Sequence, residues 1–197
     1  MDDYFEVFGL SRRLGLDAEA LQRRFYELSR AHHPDFHQAA AAAAQAEALA
    51  TSALVNRAYR ALRDPIARVE YLVALEEGRA VAEDAGTRQV PKALLEDMMA
   101  VQEALEEARA AGFDEASRRT LTEEHRRLTE RRAEEEQSLL AGFPDWDRAL
   151  ESGGDRMTLI ARFKEGLATR AYLRTVIEDL EAALGSREES DVSHRRH

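Results

Sequence analysis

The densest collection of chemically capable side chains is the run His32-His33-Pro34-Asp35-Phe36-His37. Imidazole and carboxylate are proper ligands for zinc or iron. A metal site built from His32, His33, Asp35 and His37 is therefore one reading, and a metal-dependent hydrolase would be its function. The spacing argues against it. Adjacent histidines beside a proline rarely converge on one ion, and no His-x-x-x-His pair on a helix is present. His125, His194 and His197 offer no obvious fourth ligand. Cysteine is absent altogether, which excludes disulfides, Cys-based zinc sites, Cys-ligated iron–sulfur clusters and thiol nucleophiles. No metal and no cofactor is expected. The plainest reading of the run is a polar loop, and its meaning depends on the elements that hold it.

Those elements are helices. Ala, Leu, Glu and Arg dominate, while Gly is 10 and Pro only 4 of 197 residues, so few positions force a break. No alternating apolar/polar run of strand length occurs, and the fold class is expected to be all-α. Tyr4 to Leu10 reads as one or two turns closed by Gly9. Asp17 is a natural N-cap for a helix whose buried stripe is Leu21, Phe25 and Leu28. Arg23, Arg24 and Arg30 lie off that stripe, and Pro34 stops the helix near His32 or His33. An alanine-rich stretch leads into a second long helix, with Leu49, Ala53, Asn56, Tyr59 or Arg60, and Leu62 as its expected face and Leu54, Val55 and Ala58 beside them. Asp64-Pro65 ends it and opens another helix, with Ile66, Val69, Leu72 and Val73 inward.

Residues 76–91 read as a linker before a second domain at 92–185, and the polar tail 186–197 is expected to be disordered. In the second domain a helix reaches Ala111 and is capped by Gly112, and a charged helix follows from about Asp114 to Leu140. Gly142-Phe143-Pro144 reads as a turn, Trp146 and Leu150 as a short segment, and about Arg156 to Leu184 as the last helix, stopped by Gly185. Short loops between long helices imply a small antiparallel bundle. Leu94, Met98, Val101, Leu105 and Ala108 recur at seam spacing and should face its core. Leu95 and Met99 lie to the side of that seam. They are either the edge of a wide buried stripe or an apolar surface for a partner.

Charge narrows the partners. The net charge is -10, and residues 1–75 hold 9 Lys/Arg against 10 Asp/Glu while the remainder holds 19 against 28. Such an acidic chain is not expected to bind nucleic acid or an acidic membrane surface as its main activity. The longest apolar runs are too short to cross a bilayer, and the acidic start Met1-Asp2-Asp3-Tyr4 lacks the features of a signal peptide. A cytoplasmic location is the expectation.

Context gives the polar loop a third reading. His33-Pro34-Asp35 follows an Arg-bearing amphipathic helix, a short helix precedes that, and a long helix ending in Asn56, Tyr59, Leu62 and Asp64-Pro65 follows. This arrangement resembles the J domain of chaperone partners. Asp3-Tyr4-Phe5, Phe8-Gly9-Leu10 and Ala67-Arg68-Val69-Glu70-Tyr71-Leu72, joined to an acidic helical bundle, narrow the resemblance to the HscB-type co-chaperones of iron–sulfur cluster assembly. The likeness spans about residues 2–184 and is strongest over 2–72. Phe36 stands where that family often has Lys or Arg.

The resemblance implies a J domain at 1–75 that docks on a DnaK/HscA-class ATPase chaperone, with phosphoryl transfer on the chaperone and no active site here. His33, Pro34 and Asp35 would trigger hydrolysis, and Arg23, Arg24 and Arg30 would steer docking by charge complementarity. The second domain would bind an IscU-type scaffold through Leu95, Met99, Glu103 and Tyr172. Its Leu94 to Leu105 segment loosely resembles the family's scaffold-binding helix. A general J-domain co-chaperone for other clients, and a helical adaptor without chaperone activity, remain as alternatives.

Overall fold

The computed structural model describes residues 2–33, 41–78 and 94–185, and among these every regular element is helical. The helices are α1 (Tyr4–Val7), α2 (Ala18–Ala31), α3 (Ala42–Arg63), α4 (Pro65–Glu76), α5 (Leu95–Ala110), α6 (Glu115–Ala141), α7 (Phe143–Ser152) and α8 (Arg156–Gly185). They form two compact units. One holds residues 1–86 with 140–163, and the other holds 87–139 with 164–197. No helix among the described residues is long and apolar enough to cross a membrane.

In the first unit, local chemistry sets the helix starts. Asp3 accepts the Phe5 N–H at 2.9 Å and caps α1. Asp17 accepts from Glu19 and Ala20 and caps α2, as its sequence position predicts. Asp64 accepts the Ala67 N–H at 2.8 Å, and Pro65 occupies the first turn of α4, where a missing N–H costs nothing. Helix α3 packs against α1, α2 and α4. The inward face of α4 is the expected one, since Ile66, Val69, Leu72 and Val73 are all buried.

The face of α3 differs from the expectation. Ala48, Val55, Ala58 and Leu62 are buried, whereas Asn56 is exposed and Leu49 is 60% exposed. The seam therefore runs one position away from the Leu49–Asn56 line.

Residues 140–163 are the larger difference, because the sequence pattern assigns them to the second domain. Here Gly142-Phe143-Pro144 is the start of α7 rather than a turn, with Pro144 again in the first helical turn. Trp146 is fully buried and its Nε1–H donates to the Arg12 carbonyl at 2.7 Å. The buried Asp147 carboxylate accepts the N–H groups of Leu14 at 2.7 Å and Gly15 at 3.0 Å. Arg68, also buried, donates to the carbonyls of Leu14 and Leu62. Burial pulls its guanidinium pKa down, and the charges of Asp64 and Asp147 oppose that pull. Helix α7 ends on Gly153, at φ 70°, as the Ser152-Gly153-Gly154 run suggests.

The second unit is built on α5, α6 and the later part of α8. Its core joins Leu94, Val101, Leu105 and Ala108 to Leu121 and Leu128, and to Leu173, Ile177 and Leu180. Gly166 lets α8 approach α6 closely: a Cβ there would lie 2.7 Å from Glu135 Oε1 and 2.8 Å from Leu139 Cδ2. Gly185, expected to stop α8, is instead its last helical residue. Most of the expected linker and all of the tail at 186–197 lie outside the described residues.

Replacing Asp147 with Ala strands two backbone donors that helical pairing does not satisfy. The expected cost is about 3 kcal/mol of unfolding free energy, measurable by urea denaturation.

Candidate functional site

Two exposed surfaces carry the residues singled out from the sequence. The first is the α2–α3 hairpin. Phe25 of α2 stacks on Tyr59 of α3 with ring centroids 4.1 Å apart and planes 13° apart, and Arg63 lies over the same Tyr59 ring at 5.9 Å. This stack and the buried Leu21 hold α2 with its opposite face to solvent. Arg23 and Arg30 are exposed on that face, and Arg24 is exposed on the flank of the buried stripe. Arg23 approaches Glu19 at 3.7 Å and Arg24 pairs with Glu27 at 3.0 Å. Such exposed pairs within one helix hold little energy, so both arginines can exchange partners readily. Arg30 sits in the last turn, where a cation suits the helix dipole.

His32 closes α2, its N–H donating to the Leu28 carbonyl at 3.0 Å, and His33 follows in an exposed position. Pro34 and Asp35 lie outside the described residues, as do Phe36 and His37. Among the described residues no group of three or more His, Asp or Glu is arranged to hold a metal ion.

The second surface is on α5. Leu94 is fully buried, and Val101, Leu105 and Ala108 complete the expected seam, with Met98 half-buried at its edge. Leu95 is 43% exposed, Met99 is 68% exposed and Glu103 is exposed. These three stand one turn apart on a single face, so the reading as a wide buried stripe does not hold. Tyr172 belongs to α8 and is half-buried against the three-helix core that also takes Leu94 and Val101. Burial pushes its phenol pKa up, and the charge of Asp179 adds to the shift.

A residue that sequence reasoning missed lies behind this face. Asp97 is buried and pairs with Arg127 at 2.7 Å and with Arg131, both from α6. Thirty residues separate the partners, so no local signal announces them. The one available clue was its phase, since Asp97 falls between seam positions Leu94 and Val101.

Among the described residues a short helix, an α2–α3 hairpin with His33 just past the end of α2, and a second helical unit have the two-part plan of a J domain joined to a helical domain. Solved structures make the assignment narrower. The chain is similar to the chaperone HscB from Vibrio cholerae, with a TM-score of 0.62 and 21% identity over 97% of this chain and 99% of that one. It is also similar to the human co-chaperone HscB, with a TM-score of 0.63 and 25% identity over 92% of this chain and 81% of that one. No protein-family model matches the chain. The fold is the HscB-type fold.

Exposure on α5 has a thermodynamic consequence. Leu95→Ala combined with Met99→Ala should change bundle stability by no more than about 1 kcal/mol, whereas Leu94→Ala alone should cost about 2–5 kcal/mol. Chemical denaturation of the two variants measures the contrast.

Proposed function

We propose that this chain is a J-type co-chaperone of iron–sulfur cluster assembly, cytoplasmic and without an active site of its own. It stimulates the ATPase of a DnaK/HscA-class chaperone and delivers an IscU-type scaffold to it. Residues 1–75 dock on the chaperone through Arg23, Arg24 and Arg30, and His33, Pro34 and Asp35 trigger hydrolysis. Residues 92–185 hold the scaffold-binding face, made of Leu95, Met99, Glu103 and Tyr172.

The observation that carries this reading is the coexistence of two exposed surfaces on one HscB-type fold. A basic helix ends at an exposed His33, and a separate helix shows Leu95 and Met99 to solvent. Adjoining exposed apolar side chains on one helix form a patch of the kind that a partner can cover. The adjustable thioether of Met99 suits such a contact. Glu103 can pair with a basic group on the scaffold, and Tyr172 supplies an aromatic edge.

A steady-state ATPase assay of the chaperone, with and without this protein and the scaffold, tests the reading. His33→Gln should abolish stimulation while leaving fold and scaffold binding intact. Leu95→Ala with Met99→Ala should do the reverse, weakening scaffold binding by about 2 kcal/mol while intrinsic stimulation survives. Loss of both activities in either variant would contradict the division of labour.

Docking through arginines is also sensitive to salt. Exposed charges are screened over about 8 Å at physiological ionic strength. Stimulation should fall as salt rises, and charge reversal at Arg23, Arg24 or Arg30 should reproduce the loss at low salt. Equal stimulation by these variants at all salt concentrations would remove the electrostatic docking.

A further inference from the structure

The chain contains no cysteine and 4 methionines, so the thioethers are its only oxidisable sulfur. Met1 lies outside the described residues. Met98 is half-buried at the seam edge of α5, while Met99 is 68% exposed and Met157 is 80% exposed. The two open methionines differ in setting. Met157 stands in the first turn of α8 among exposed residues, with no large apolar side chain exposed beside it in its own turn. Met99 stands one turn from the exposed Leu95, and together they are the apolar part of the α5 face.

We propose that Met99 is a peroxide-sensitive modification site whose oxidation switches off client binding by the α5 face. This inference rests on the reading of that face as the scaffold-binding surface. The step is a two-electron oxygen transfer. The Sδ lone pair of Met99 attacks one oxygen of hydrogen peroxide, the O–O bond breaks and an S–O bond forms. The departing hydroxide takes up the proton released from the transferred oxygen, and water leaves. Methionine is oxidised to its sulfoxide and the peroxide is reduced.

The product replaces a flexible apolar group by a strong dipole. On the free protein its oxygen is solvated, because Met99 is exposed, and the fold is not disturbed. Against an apolar partner the same oxygen must lose its water without gaining a donor, which disfavours the complex selectively. Exposure thus makes the residue both reachable by peroxide and harmless to oxidise until the partner arrives. Sulfoxide reduction reverses the change.

The test treats the full chain with hydrogen peroxide, removes the oxidant, and then titrates an IscU-type scaffold by calorimetry. Peptide mass mapping reports which methionines carry oxygen. Met99 and Met157 should oxidise before Met98, and Kd should rise at least tenfold with the helical circular dichroism unchanged. Methionine sulfoxide reductase should restore the starting Kd. In Met99→Leu, whatever its own starting affinity, the ratio of treated to untreated Kd should stay near one. Met157→Leu should start from the wild-type Kd and lose affinity on oxidation as the wild type does. Met99→Gln, which places a polar group there without peroxide, should bind weakly from the outset.

Unchanged affinity with Met99 fully oxidised overturns the proposal, as does an equal loss in oxidised Met99→Leu or a loss that accompanies unfolding. If untreated wild-type protein fails to bind the scaffold, the functional reading itself fails and the switch falls with it. That outcome is distinct from intact binding that ignores oxidation.

Discussion

One buried peptide organises the first unit. Between α1 and α2 only Phe8 and Leu14 are buried, and the Leu14 backbone, turned inward, needs partners for its N–H and carbonyl. An all-helical fold has no sheet ladder to provide them, so side chains do. Asp147 accepts the N–H groups of Leu14 and Gly15, Arg68 donates to the Leu14 carbonyl, and Trp146 donates to the Arg12 carbonyl. Gly15 is required by this arrangement, because a Cβ at that position would lie 2.7 Å from Asp147 Oδ2. Two opposite charges, both buried, are tolerable because their hydrogen bonds go to fixed dipoles and their fields oppose each other's desolvation. The segment they hold leads directly into Asp17, the cap of α2, and so into the helix that displays Arg23, Arg24 and Arg30.

The N-terminal anchor repeats the same logic with fewer groups. Tyr4 stacks on Tyr71 at 4.3 Å, the Tyr4 N–H donates to the Tyr71 hydroxyl, and that hydroxyl donates to the Asp2 carbonyl. Burial is the main reason the Tyr71 phenol is pushed up to about 12, so it remains a neutral donor across the physiological range. Arg12 bridges Asp3 and Glu76, tying the same segment to the end of α4. The chain before α2 is therefore fixed by polar contacts to α4 and α7 in addition to apolar packing.

How much of this was legible in the sequence follows from the range of each interaction. Caps are local, and Asp17, Pro65 and Gly153 could be read from their neighbours. The α4 and α5 seams are periodic and could be read from spacing. The α3 seam was misread because Leu49 is a stronger apolar signal than Ala48, although the alanine is the residue the packing buries. The placement of 140–163 with the first unit could not be read at all. It depends on Asp147 and Trp146 meeting residues 132 to 134 positions earlier, and an isolated Asp in a helix carries no mark of that. Of the candidate site, the exposed arginines and His33 follow from helix phase and from the stop at Pro34. The state of Leu95 and Met99 was ambiguous because their phase suits either a wide core or a surface.

The physical resolution of that ambiguity is Asp97. At about 100° per residue, Leu94, Asp97, Val101, Ala104, Leu105 and Ala108 fall within an arc of about 100° on α5. All six are buried. Met99 lies about 170° from the middle of that arc, with Leu95 and Glu103 about 40° to either side of it. An apolar residue at 97 would bury equally well over a range of helix rotations. A carboxylate would not, because it must meet Arg127 and Arg131 of α6, and rotating α5 to draw Leu95 and Met99 inward would carry Asp97 away from both. Leaving that carboxylate unpaired at the edge of the core costs several kcal/mol, on the order of what burying Leu95 and Met99 would gain. The ion pairs thus act with the buried seam of Leu94, Val101 and Leu105 to fix the rotation of α5, and contacts behind the helix keep an apolar face in front of it exposed.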